Sequence, residues 1–203
     1  MRKLRVLVLS LAVSLVAIHG SAQLSSDKNE MLKMRVQEMV GQMTDNISFM
    51  ADKKKEYDTR MFYREVALNL FIGQGGPYQY MGEQRKGVIM ETTSLYRSRP
   101  TRRLMRDYFE GLVNLKYSQV VIESTQTYDI EVSDLKKVPG EDNLYVCTAC
   151  FEQLFMGYRD GRVVYGDRTR KEVTAYVRMD EVYNDYEFIV MLGDVTAKET
   201  KRI

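Results

Sequence analysis

Across its 203 residues the chain has one histidine, no tryptophan, two cysteines and three prolines. The histidine, His19, falls in a segment that reads as removed on export, so the mature chain is expected to carry no imidazole. That excludes Ser-His-Asp and Cys-His catalysis and any His-ligated metal. Three prolines and 13 glycines are too few for a collagenous or low-complexity chain, while 44% hydrophobic and 29% charged residues describe one that folds. The length suits one domain, with a core large enough to need no disulfide staples.

The first 22 residues form a unit of their own. Arg2, Lys3 and Arg5 precede an apolar run from Val6 to Ile18, and Gly20-Ser21-Ala22 supplies small residues before Gln23. This is the pattern of a secretory signal peptide over 1–22, leaving 23–203 as one domain. The apolar run is short for a span of about 20 residues and no stop-transfer pattern follows it. No cysteine lies at the expected cut, so an exported, periplasmic or extracellular protein without a lipid anchor is expected. Losing three of the 30 basic residues leaves 27 against 28 acidic ones, so the net charge of +2 over the full sequence becomes −1. Such a balance has no footprint for nucleic acid.

The cysteines, Cys147 and Cys150, form a C-x-x-C inside Leu144 to Phe155, a run that reads as a strand. Residues three apart on a strand point to opposite faces, so the two thiols do not pair. A redox pair needs a helix N-terminus to lower a thiol pKa, and a zinc site needs two more ligands. Two free strand thiols, at least one in the core, are expected, with no metal and no cofactor.

Helical periodicity fills the region after the leader. Two helices are predicted over 27–72: the first starts at Ser25-Ser26-Asp27 with Glu30 and carries Leu32, Val36, Met39, Val40, Met43, Ile47 and Met50. The methionines are read as core filler rather than as a soft ligand surface. The second helix runs from Asp58 to Ile72 and stops at Gly73-Gln74-Gly75-Gly76-Pro77, which lacks the Lys-Ser/Thr pair of a phosphate loop. A short strand follows over 87–93, then a third helix over 100–115 opened by Pro100. Arg97, Arg99, Arg102, Arg103 and Arg106 make the densest basic cluster, either a solvated helix start or a face for an anionic partner. From 119 to 196 the pattern becomes β-branched and aromatic, a four-strand meander over Gln119 to Val132, Leu144 to Tyr158, Val163 to Met179 and Tyr186 to Thr196. Asp160-Gly161 between two of these runs predicts a type I′ hairpin turn. The fold class is α+β, with helices packed on a strongly curved antiparallel sheet.

Helix, helix, short strand, helix and a long meander with its hairpin Tyr158-Arg159-Asp160-Gly161-Arg162 resemble, in order, the nuclear-transport-factor-2-like superfamily. A cystatin-like helix-on-sheet fold is the competing architecture, and the leader and the Tyr- and Met-rich composition look like exported proteins of Bacteroidetes. The resemblance implies a cone-shaped sheet with a pocket at its open end, used in that superfamily for enzymes, for lipid or steroid binding and for protein contacts. Without histidine, the residues for such a pocket are Glu91, Tyr108, Gln153 and Tyr176, with Phe151 and Phe155 facing inward beside Cys147 by alternation. Glu91 is the acid–base candidate, since burial raises a carboxyl pKa. The 14 tyrosines suit either association or the outer face of pleated strands. The leading expectation is an exported, non-catalytic binding or interaction module, as a homodimer or against another envelope protein. The alternative is a carrier of small apolar ligands, or an enzyme, using the cone pocket.

Overall fold

The computed structural model describes residues 24–97, 99–182 and 185–203. The expected leader, 1–22, lies outside them. Two helices come first, α1 (Ser26–Ala51) and α2 (Tyr57–Leu68). Ser25 caps α1, its side chain accepting from the Lys28 amide at 3.4 Å. The three-four spacing then does what periodicity predicts: Leu32, Val36, Val40, Met43, Ile47 and Met50 are all 0% exposed. Each such side chain contributes roughly 1.5–3 kcal/mol relative to exposure.

The second helix ends four residues before Ile72, where the sequence places its end. The reason is tertiary: Leu70 accepts a backbone hydrogen bond from Leu192 at 2.8 Å, and Phe71 bridges Leu192 in parallel. A short 3₁₀ turn, Ile72–Gly75, follows, with Gly73 and Gln74 at positive φ. Two short strands that periodicity does not reveal come next, β1 (Tyr78–Tyr80) and β2 (Glu83–Arg85). They form a hairpin through Met81 and Gly82, at φ 48 and 77, the signs a type I′ turn requires.

The predicted short strand is β3 (Ile89–Thr92). The helix expected over 100–115 is corrected in its first turn: Thr101–Leu104 is a strand, β4, and α3 covers only Met105–Val113. The otherwise open edge of β3 captures these residues, pairing Ile89 with Leu104 and Glu91 with Arg102, and the Met105 amide donates to Val88 at 2.8 Å. Pro100 and Thr101 carry a local helix-start signal that this ladder overrides.

The run from Gln119 to Val132 is also divided, into β5 (Gln119–Ser124) and β6 (Glu131–Val132), followed by β7 (Lys136–Lys137). Between β5 and β6 the Thr125 hydroxyl takes the Glu152 amide at 2.8 Å, and the following turn docks Thr127 on α1 at Gly41. A Cβ at Gly41 would lie 2.5 Å from the Thr127 hydroxyl, so only glycine admits that approach. The three long strands β8 (Leu144–Arg159), β9 (Arg162–Val182) and β10 (Asp185–Arg202) then meander antiparallel. Asp160 and Gly161 sit at φ 52 and 73, the expected I′ turn.

The sheet runs β4-β3-β10-β9-β8-β5, with β6 and β7 also pairing β8, and it is not closed. It is antiparallel except where β3 joins β10 in parallel, at Met90 and Val195. Register shifts at Gly157/Tyr158, Leu192/Val195 and Ala197/Glu199 bend the long strands. The three helices pack on one face of this sheet, an α+β fold of the kind the resemblance implies.

Candidate functional site

Strand alternation sorts the long strands into two faces. On β8 the residues Cys147, Ala149, Phe151, Gln153 and Phe155 share the helix-covered face, and on β9 so do Tyr165, Asp167, Thr169, Lys171, Val173, Ala175 and Val177. Register pairs Cys147 with Ala175, Ala149 with Val173, Phe151 with Lys171, Gln153 with Thr169 and Phe155 with Asp167. One end of this face is apolar and part of the core. The other turns polar at Lys171 and borders a cavity of about 620 Å³ under α3, open to solvent and lined on its remaining sides by Thr92 to Ser94, Tyr96 and Arg97 and by Tyr117.

Lys171 is 5% exposed. Its Nζ donates to Gln153 Oε1 at 2.7 Å and stands 5.9 Å from the centre of the Tyr108 ring. Among the described residues no carboxylate comes within 4.0 Å of it. Loss of water therefore dominates and pushes its pKa down to about 8, against a smaller pull upward from the charge of Asp167. Asp167 is buried too, and its carboxyl is raised above the ordinary carboxylate range by desolvation, opposed by the Tyr165 hydrogen bond and by Lys171. The Tyr165 hydroxyl donates to Asp167 Oδ2 and lies 3.2 Å from Ser94 Oγ. Burial, with the Asp167 charge behind it, lifts the Tyr108 hydroxyl to about 12. Gln153 is left with a buried Nε2 that has no hydrogen-bond partner. The arrangement combines a buried amine whose pKa is lowered, a buried carboxyl whose pKa is raised, and a buried amide.

Of the four residues proposed from the sequence, Tyr108 and Gln153 line this cavity and Glu91 and Tyr176 do not. On β3 it is Met90 and Thr92 that face inward, which turns Glu91 to the outer face, 4.0 Å from Arg102 Nε. Tyr176 lies between the inward-facing Ala175 and Val177 and so points out. It packs with Val138, Leu144 and Tyr80 beside the β1–β2 hairpin, its ring 5.0 Å from that of Tyr80. Gly193 leaves room for it, since a Cβ there would meet Tyr176 Cε2 at 2.7 Å.

Lys171 and Asp167 are the residues sequence reasoning missed. The run Asp167-Arg168-Thr169-Arg170-Lys171-Glu172 is polar on both faces, so it has no contrast to set its phase. The usable signal is downstream: counting back by twos from Val173, Ala175 and Val177 places Lys171, Thr169 and Asp167 inside.

The basic cluster divides. Arg97 and Arg103 line the cavity, Arg102 faces Glu91, and Arg106 lies 3.4 Å from Asp107. Cys147 is buried in the core, its thiol pushed up to about 12 by desolvation, and Cys150 is half-buried on the other face; both are free. Among the described residues no group of three or more Cys, Asp or Glu side chains is placed to hold a metal ion.

No protein-family model matches the sequence, and no curated protein matches it. Three solved structures are similar in overall shape. A protein assigned as a scytalone dehydratase from Novosphingobium aromaticivorans has a TM-score of 0.43 at 9% identity, over 87% of this chain and 91% of that one. A type 2 hexachlorocyclohexane dehydrochlorinase gives 0.36 at 8% identity, over 86% and 93%. A Kribbella flavida protein gives 0.40 at 13% identity, over 84% and 95%. Similarity at this level carries no chemistry from those proteins to this one.

Proposed function

We propose that this protein binds a small organic molecule in the cavity between α3 and the polar end of β8 and β9. The observation that carries the reading is Lys171: a buried ammonium held by one neutral acceptor, at the wall of a cavity large enough for a ligand. A structural core gains nothing from such a group, and a ligand-binding wall does. The aromatic content fits the same reading. Tyr96, Tyr108, Tyr117 and Tyr165 line the cavity, and Tyr78, Tyr80 and Tyr176 pack around the hairpin, so tyrosine is engaged inside the protein as well as on its surface. The reading therefore favours the pocket over the interaction module as the primary role, and self-association or an envelope partner becomes secondary to it. The Met1–Ala22 segment supports a site of action outside the cytoplasm.

The experiment is native mass spectrometry of the chain purified from its own host, beside Gly111→Phe. Gly111 lines the cavity and a Cβ there meets nothing nearer than Arg103 Nη1 at 3.8 Å, so a ring at this position fills the cavity without displacing backbone. An adduct of a few hundred daltons on the wild type and its loss in Gly111→Phe is the expected result. Identical bare masses for both, with no small molecule raising the melting temperature of either, would overturn the reading.

A second reading, acid–base catalysis in the same cavity, is favoured by the placement of two buried titratable groups, Lys171 and Asp167, on one wall, where burial pushes the lysine pKa down to about 8 and the carboxyl pKa up. Turnover of a bound ligand that is lost in both Lys171→Met and Asp167→Asn, with binding retained, distinguishes it from carriage alone.

A further inference from the structure

We propose that the molecule this cavity takes is an organic carboxylate, its charged head seated on Lys171 beside the Gln153 amide and its body against Phe155, Tyr117 and Leu112. This rests on the cavity being a ligand site at all. The headgroup follows from what the wall offers and what it lacks.

It offers donors. The Lys171 ammonium has three N–H bonds, and one is spent on Gln153 Oε1. That bond also fixes the sense of the Gln153 amide, because only the oxygen can face an ammonium, and Nε2 is thereby left as a buried donor without an acceptor. Lys171 therefore keeps N–H donors without an acceptor at the cavity wall, while the buried Gln153 amide behind it holds the ammonium in place. The chemical partner for a desolvated ammonium of this kind is an anionic oxygen acceptor, and a carboxylate is the smallest organic one.

The wall lacks negative charge. Arg97, Arg103 and Arg159 line the cavity together with Lys171, and Asp167 is its one acidic side chain. Asp167 does not serve as a close counterion, because it is not within ion-pair distance of Lys171 and it accepts from the Tyr165 hydroxyl. A neutral ligand would leave the ammonium desolvated and unpaired, and a cation would add to the excess. An anion supplies the opposite charge at the one place where the protein omits it. The remaining wall is aromatic and aliphatic: Phe155 stands edge-on to Tyr117 and Tyr165, 5.9 Å between ring centres in each pair, beside Leu112 and Leu115. Such a surface suits a planar or branched apolar body behind the head.

The test uses two probes of one shape, naphthoate and naphthamide, titrated calorimetrically into the full mature chain at low and high salt. The expected result is that naphthoate binds roughly tenfold tighter than naphthamide, the advantage of a charge-assisted seat over a neutral one. Added salt should weaken naphthoate alone. In Lys171→Met the preference should fall to within about twofold while naphthamide still binds. Because that variant alters the core, Arg103→Met, at the exposed mouth, provides a second arm and should reduce the preference in part. Naphthamide binding as well as naphthoate would overturn the carboxylate assignment and leave the cavity reading standing. Naphthoate preferred equally by wild type, Lys171→Met and Arg103→Met would overturn the proposed seat. Neither probe binding, with wild type and Gly111→Phe indistinguishable, would overturn both.

Discussion

The two ends of one sheet face differ more than the two faces do. Between Val173 and Val177 the inward residues of β9 are Val, Ala and Val, matched on β8 by Ala149 and Cys147, and all five are buried in the main core with the apolar row of α1. Between Asp167 and Lys171 the same face of the same strand carries Asp, Thr and Lys, also buried, opposite Phe155, Gln153 and Phe151. Backbone geometry and burial are alike at the two ends. What differs is the surroundings: one end is filled by side chains from the helices, and the other borders a cavity. Buried polarity is costly where nothing compensates it, so its confinement to the cavity end separates the part of the face that stabilises the fold from the part available to a ligand.

The comparison can be broken most severely by importing polarity into the apolar end. Ala175→Asp places a carboxylate opposite Cys147 with no partner, and a loss of about 3–5 kcal/mol in urea unfolding, or failure to fold, is expected. Lys171→Met makes the polar end resemble the apolar one, and the readout is pH. A lysine whose folded pKa is about 8 against an ordinary 10.5 binds fewer protons folded than unfolded between those values, so its ammonium costs stability below pH 8 and that cost is relieved as pH rises. The stability of wild type minus that of Lys171→Met should therefore climb by about 3 kcal/mol from pH 8 to pH 10.5. A flat difference across that window would mean that Lys171 is solvated or closely paired.

A smaller effect is expected from Gly157→Ala, at the cavity end of β8. Its new Cβ would meet Tyr117 Cε1 at 2.6 Å, so the ring that closes the cavity must shift, at about 1–3 kcal/mol in thermal or chemical unfolding. Ligand affinity should change along with it. Least of all should follow from Glu91→Gln, which alters an outward-facing, half-buried side chain in a long ion pair with the exposed Arg102. Stability within about 0.5 kcal/mol of wild type and unchanged probe affinity are expected. A lost ligand there would return Glu91 to the site.

Those outcomes also measure how far the sequence can be read. Periodicity located α1 because its apolar row is unbroken, and Asp160-Gly161 located the β8–β9 turn because its chemistry is local. Opposite faces for Cys147 and Cys150 followed from parity alone. The failures are of another kind. Thr101–Leu104 became a strand because β3 had an edge to fill, which no local signal encodes. The β1–β2 hairpin turns on Met81 at positive φ, a residue that does not advertise such a turn. At the cavity, Gln153 falls on the wall because it extends the parity of Cys147, Phe151 and Phe155, and Tyr108 because it shares a helix face with Leu112. Tyr176, one residue out of that phase, lies on the opposite face. Lys171 and Asp167 were hidden in a run whose two faces look alike, and burial of charge is the property that amphipathic reasoning is built to overlook.

Among the described residues, strand β4 has a neighbour on one side only. An open strand of this kind is a template on which another molecule's sheet can continue, and such growth is how folded β-proteins pass into fibres. Here the strand is four residues long, and Arg102 and Arg103 occupy its middle with exposed side chains. A second copy approaching along it would bring guanidinium against guanidinium while stripping both of water. The ladder that interrupts the predicted helix thus ends the sheet with a repulsive margin, which favours solubility in a protein whose remaining strands are long.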